Sequence, residues 1–312
     1  HGSPNPSSTL SKASTLKGLV FSPQHPHRGR AGSANMGDKE ELHTGPPPHS
    51  SASDAPHDAA LNPVAETWEK EQLRLRDEIK IVDDVSFDPA TFAGLKYIGG
   101  VDISFVKGDP NAAAATLVVV EFPSMQVVYE DTREVQMSLP YMPGFLAFRE
   151  VPHLLTLLQA LAETHKEVYP QVVMVDGNGV LHPRGCGLAS HLGVLADLPC
   201  IGVAKSFLIV DGISRAHVNE RAKQVLHGQG DSFELVGDSG RAWGTALVGS
   251  AGSLNPIYVS VGHRISLDAA VRLVSLCCSA ARVPEPIRQA DQRSREFLSP
   301  TGRELPKPTL PL

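Results

Sequence analysis

Three short pieces of this chain constrain its architecture most: VVMV at Val172 to Val175, LASHLGVLA at Leu188 to Ala196, and CIGVA at Cys200 to Ala204. The first and third are apolar runs too hydrophobic for a sheet edge, and the second has helical spacing. A strand, a crossover helix and a strand in this order predict a parallel pair, since only a connection of that length can return the chain to the same end of the sheet. The fold class is therefore α/β, a mixed β-sheet flanked by helices.

The rest of the pattern fits around that unit. A charged amphipathic helix is expected over Trp68 to Ile81, with Trp68, Leu73 and Ile79 as core contacts. Strand-like runs at Tyr97 to Phe105, Ala115 to Phe122 and Val127 to Val135, joined by turns at Lys107 to Asn111 and Pro123 to Met125, read as an antiparallel meander. A Pro/Gly loop then leads into a helix with Leu154, Leu155, Leu158 and Leu161 on one face and Pro152 in its first turn. Helices at Ala216 to Leu226, Ser266 to Arg282 and Pro286 to Phe297 and strands at Ala242 to Val248 and Ile257 to Val261 complete the list.

Composition sets the domain limits. Residues 1–65 are rich in Ser, Pro, His and Gly and cannot bury enough surface to offset their ordering entropy, so they read as a disordered leader foreign to the fold. The first 37 residues lack Asp and Glu but carry Lys12, Lys17, Arg28 and Arg30, a faint transit-peptide character outweighed by a start at His1. One folded domain is expected over 66–298, with a flexible Pro-rich tail over 299–312. No apolar stretch approaches a membrane span, so no membrane partner is expected. The four cysteines, at 186, 200, 277 and 278, have neither zinc-site spacing nor a disulfide pattern, which suits a reducing compartment. The net charge of −6 argues against binding nucleic acid by bulk positive charge, but it suits a nuclease whose carboxylates hold divalent metal.

Asp102 interrupts YIGGVDISFV and Asp176 ends VVMVD, each on an apolar run where an unpaired charge would be expensive. If their strands are neighbours the carboxylates meet, and a hard divalent cation between them is the natural answer. Taken singly, each could be an ordinary strand-end turn residue. Two rivals compete for the glycines after Asp176. A dinucleotide fingerprint lacks its third glycine here, and an aspartyl-phosphate phosphatase would need an Asp where this chain has Met174. The glycines are expected to let a nucleic-acid backbone approach Asp176.

The blocks GGVDISFVKGD, PYMPGFLAFRE, VDGNGVLHPRGCGLASHLG, CIGVAKSFL, SVGHRISLDAAVRL and PEPIRQAD, in this order from about Trp68 to Leu298, resemble the endonuclease V family. The resemblance implies a ribonuclease H-like sheet and a Mg²⁺-dependent endonuclease, with Mn²⁺ as a substitute. It implies catalytic, metal-holding roles for Asp102, Glu150 and Asp176, with Asp291 as a further acidic residue, Lys205 near the scissile phosphate, and His182 and His263 around the site. By composition alone Glu150 and Asp291 would be solvated helix residues, Lys205 a solvated strand-end lysine, and both histidines polar loop residues.

The implied substrate contains inosine and is cut at the second phosphodiester on its 3′ side. Tyr141 resembles the family's wedge, while Gly144 and Gly187 allow close backbone approach to a base walled by Leu146 and Leu188. Several blocks look like the animal branch, which implies single-stranded inosine-containing RNA as the main partner, deaminated DNA as the alternative, and a non-cleaving inosine reader as the remote one. A monomer in the cytoplasm, with the nucleolus as a second location, is the expected setting.

Overall fold

The computed structural model describes residues 55–279 and 281–299, without the side chains of 55–62. The expectations for residues 1–54 and for the tail from 300 lie outside the described residues. The chain begins with helix α1 (Ala55–Asp77) and the meander β1 (Tyr97–Val106), β2 (Asp109–Glu121) and β3 (Gln126–Gln136). Helix α2 (Leu146–Thr164) leads to β4 (Val172–Asp176), α3 (Leu188–Ala196) and β5 (Cys200–Ala204). There follow α4 (Arg215–Val225), β6 (Ser232–Val236), β7 (Ala242–Leu247), β8 (Ile257–His263), α5 (Leu267–Cys277) and α6 (Glu285–Leu298).

The eight strands form one sheet in the order β3-β2-β1-β4-β5-β8-β7-β6. The pairs β1–β4 and β4–β5 are parallel and all others antiparallel, so the parallel strands sit centrally, as their unbroken apolar character requires. The main core joins Met174, Ile201, Val203 and Val259 of these strands to Leu273 and Val274 of α5 and Ile287 of α6. No helix among the described residues is long and apolar enough to cross a membrane.

Several local expectations are corrected. Helix α1 starts at Ala55, inside the stretch read as leader, and ends at Asp77; its deepest contacts are Trp68 and Leu75, whereas Leu73 and Ile79 are only half-buried. Strand β2 begins at Asp109, so it takes in the end of the expected turn at Lys107 to Asn111 and the buried alanines that precede Ala115. Pro152 is in the interior of α2, since the helix begins at Leu146. Strand β6, with Phe233 and Leu235 alternating inward, is an extra edge strand. Helix α5 stops at Cys277 rather than Arg282: Arg282 is drawn off helically spaced contacts by hydrogen bonds from its guanidinium to the carbonyls of Asn255, Pro256 and Lys205.

Candidate active site

The parallel register of β1 and β4 pairs Val101 with Val175, so the next residue on each strand, Asp102 and Asp176, emerges at the same end of the sheet. Asp176 is in turn level with Val203 of β5, and Lys205, two residues further on, reaches back to place Nζ 2.8 Å from Asp176 Oδ2. Helix α6 closes the site from one face. It sits directly on β1 because residue 100 is glycine: a Cβ there would stand 2.1 Å from the carbonyl oxygen of Pro286. That seating delivers Asp291 and Ser294. Carboxylate oxygens of Asp102, Asp176 and Asp291 lie within 4.8 Å of one another, while Ser294 Oγ and Ser104 Oγ donate to Asp102 Oδ2 at 2.8 and 3.1 Å.

The surroundings of Asp102 and Glu150 oppose their charged states. Burial, and then repulsion from Asp176 and Asp291, pushes the Asp102 carboxyl up to about 7, against the pull of the Ser294 hydroxyl. Glu150, in the second turn of α2, is buried and faces the same group; burial and the charge of Asp102 push it up to about 8 despite its neighbour Arg149. For Lys205, burial disfavours the ammonium but Asp176, backed by Asp291 and Asp102, outweighs it and holds the pKa above its ordinary value. Asp291 is held by the Arg295 guanidinium one turn along, at 2.9 Å. A partly buried set of all-oxygen donors crowded around Asp102 is what a hard divalent cation would relieve.

Two loops carry the residues expected to meet a base. Gly144 has φ +80°, and a Cβ there would meet Arg184 Nη2 at 2.7 Å. Its carbonyl accepts from Arg184 Nη2 at 2.6 Å and Gln72 Nε2 at 3.3 Å, and the Arg184 guanidinium lies over the Phe145 ring. Gly187 packs against the carbonyl oxygen of Asn178, which a Cβ would approach to 2.4 Å. Leu188 is buried and Leu146 half-buried, while Tyr141 stands out, 41% exposed, on the first loop.

The glycines after Asp176 have a packing reason of their own. A Cβ on Gly179 would lie 2.0 Å from Val261 O, and one on Gly177 would lie 3.1 Å from the Leu188 side chain. They let the loop fold against β8 and α3, a packing role in addition to the expected one. The two histidines differ: His263 lies away from the carboxylates, whereas His182 stays on the Gly144 side of the site. His263 pairs with Cys200, at the end of β5 remote from Lys205, where its Nδ1 accepts from the Lys80 N–H and its Nε2 faces Asp197 at 3.9 Å. His182 is buried beside Gly144, and burial followed by the charge of Arg184 lowers its pKa to about 4, so it is a neutral strut of the loop. Ser104, Ser294 and Arg282 are site neighbours that carry no sequence signal beyond being polar residues near apolar runs.

Residues 75–292 match the family model for endonuclease V. The chain belongs to the endonuclease V family. Human endonuclease V is 52% identical over 259 residues, covering 81% of this chain and 91% of the human protein, and mouse endonuclease V is 53% identical over 254 residues, covering 80% and 75%. The crystal structure of the catalytic domain of human endonuclease V superposes with a TM-score of 0.73 at 53% identity, covering 75% of this chain and 96% of that domain. Ciona intestinalis endonuclease V, in complex with a 24mer DNA containing an inosine followed by a ribo-adenosine, superposes with a TM-score of 0.69 at 35% identity, covering 76% and 98%. The ribonuclease H-like mixed sheet expected from the resemblance is the endonuclease V fold, and membership makes this protein a nuclease of a metal-dependent family.

Proposed function

We propose that this chain cleaves single-stranded inosine-containing RNA at the second phosphodiester 3′ to the inosine, using Mg²⁺, for which Mn²⁺ substitutes. The observation that carries the reading is the convergence of Asp102, Asp176 and Asp291 within 4.8 Å, with Lys205 on Asp176. Asp102, Glu150 and Asp176 would hold the ion, with Asp291 beside them. The donor set fits, because it is entirely oxygen, with Asp102 and Glu150 buried and raised by the charges of their neighbours. A bound divalent ion supplies a water that is nucleophilic at neutral pH and charge neutralisation at the phosphate.

The chain's own groups do the rest. The Lys205 ammonium adds a point charge facing the phosphate, and Ser104 and Ser294 fix the orientation of Asp102. Tyr141, exposed at the mouth of the Gly144 loop, is free to stack where a base leaves the strand. Gly144, Gly187, Leu146 and Leu188 would enclose hypoxanthine.

RNA is favoured over DNA by a specific point: the Ciona intestinalis relative is bound to a strand in which a ribo-adenosine, and so a 2′-hydroxyl, directly follows the inosine. Deaminated DNA is the second reading, supported by the same strand being otherwise DNA. Four free, buried cysteines suit a reducing setting such as the cytoplasm or nucleolus. Cleavage of matched single strands carrying inosine in RNA, in DNA or in neither, with Mg²⁺ added, tests the assignment. Equal cutting of the inosine-free strands would overturn it, and faster cutting of the DNA would exchange the two readings.

A further inference from the structure

Trp243 on β7 lies beyond the pocket as seen from the carboxylates, and the ladder gives its position. Thr245 pairs with Val259, Val259 with Val203, and Val203 with Asp176, so these residues share one level of the sheet. Stepping from Thr245 back to Trp243 moves two residues away from the carboxylate end, roughly 7 Å at the rise of a strand. The loop that follows Asp176 runs in the same direction: the Val180 N–H donates to Val261 O at 2.7 Å, and a Cβ on Gly185 would touch the Trp243 ring at 3.9 Å. Arg184, next to Gly185, is the residue that holds Gly144. The order along this surface is therefore carboxylates, base pocket, Gly185, Trp243.

The indole is fixed in place. Its Nε1–H donates to Asp211 Oδ2 at 2.8 Å, and Asp211, itself at φ 49°, also accepts from the backbone N–H and hydroxyl of Ser239. The guanidinium of Arg241 lies over the ring, 4.2 Å from its centroid. Arg241 is exposed and makes no ion pair among the described residues, which leaves one face of its planar cation for a base and its N–H groups for phosphate. An anchored aromatic ring covered by an exposed arginine, whose charge is felt by Asp211 without a direct ion pair, is a platform suited to single-stranded nucleic acid, because every base has a face to stack.

We propose that Arg241 and Trp243 form a stacking station for the nucleotides on the 5′ side of the inosine. This rests on the proposed function: a cut on the 3′ side of the base makes the carboxylate end the 3′ end of the bound strand, and the far side of the pocket the 5′ end.

The test uses inosine-containing RNA strands with a common 3′ arm and either a short or a longer 5′ arm, cut by the full chain and by Arg241→Ala, Trp243→Ala and Trp243→Phe. The readout is the ratio of kcat/KM for the long and short 5′ arms. The wild-type ratio should be roughly tenfold, the value of about one stacked base. It should fall towards one in Arg241→Ala and Trp243→Ala and stay intermediate in Trp243→Phe. Arg241→Ala removes only an exposed side chain, so it keeps the test decisive if Trp243→Ala fails to fold. An unchanged ratio in Arg241→Ala overturns the proposal, and so does a loss that tracks the length of the 3′ arm. Failure of the wild type to cut any inosine-containing strand would instead overturn the proposed function, and binding of the same strands by fluorescence anisotropy would then still report on Arg241.

Discussion

Lys205 Nζ lies 2.8 Å from Asp176 Oδ2, a contact between the ends of two neighbouring parallel strands. The lysine is held charged by the same carboxylates that would hold metal, so it is positioned by the cluster and does not depend on substrate for its orientation. Lys205→Ala should lower kcat by roughly 10²–10³-fold, the usual effect of losing one fixed positive group at developing charge, with little change in strand binding. Asp176→Asn should abolish cutting while substrate still binds. Single-turnover cleavage beside anisotropy binding checks both, and Mg²⁺-dependent cutting by Asp176→Asn would refute the metal assignment.

Glu150 gives a prediction about stability. Its carboxyl has a folded pKa of about 8 against an ordinary 4.5, so between these values the folded chain keeps a proton that the unfolded chain has released. The stability it contributes is full below about pH 4.5 and is lost as pH rises through 8. Glu150→Gln, which removes the repulsion, should leave the metal-free protein unchanged near pH 4.5 and stabilise it by about 1–3 kcal/mol near pH 8, while abolishing cleavage. Denaturant melts across this pH range, with a chelator present, would show the effect; a Gln variant less stable at pH 8 contradicts it.

Tyr141 is exposed and outside the carboxylate cluster, so its contribution should appear in binding. Tyr141→Ala should weaken affinity for inosine-containing RNA by about 1–3 kcal/mol, the value of one stacked base. Metal dependence should stay the same. A defect confined to the chemical step at saturating substrate would make it something other than a wedge.

The two leucines of the pocket should behave differently. Leu188 is buried against Gly177, so Leu188→Ala should cost about 2–5 kcal/mol of stability as well as loosening the wall. Leu146 is half-buried, and Leu146→Ala should mainly relax discrimination against guanosine, whose extra 2-amino group is excluded by close packing. Competition among strands carrying inosine, guanosine or adenosine measures this, and an unchanged preference in both variants would move the pocket elsewhere.

Asp102 and Asp176 were legible because a charged residue inside an apolar run has few ordinary explanations, but the strand–helix–strand unit related only β4 to β5, and it is the parallel register of β1 with β4 that brings the two carboxylates together. Asp291 and Glu150 were not legible by composition. Each lies on a helix, and what brings Asp291 to Asp102 is the contact of Gly100 with Pro286, two residues far apart in the chain. Only the family resemblance pointed to them. Strand β6 was missed because five residues flanked by glycine and aspartate give too short an alternation to stand out, and α5 was drawn too long because nothing local to Cys277 announces the three carbonyls that capture Arg282. His263 shows the reverse error: a residue inside a matching block can serve the packing of the sheet's opposite end.

The seating of α6 on Gly100 also bears on when the protein becomes a nuclease. The first member of the acidic cluster lies on the first strand and the last on the final helix, so the cluster is assembled only when both ends of the domain have met. A nascent chain whose last helix is still inside the ribosome has Asp102, Glu150 and Asp176 but neither Asp291 nor the Ser294 hydroxyl that orients Asp102. The full cluster, with Asp291 beside Asp102, therefore forms only after that helix has docked on β1.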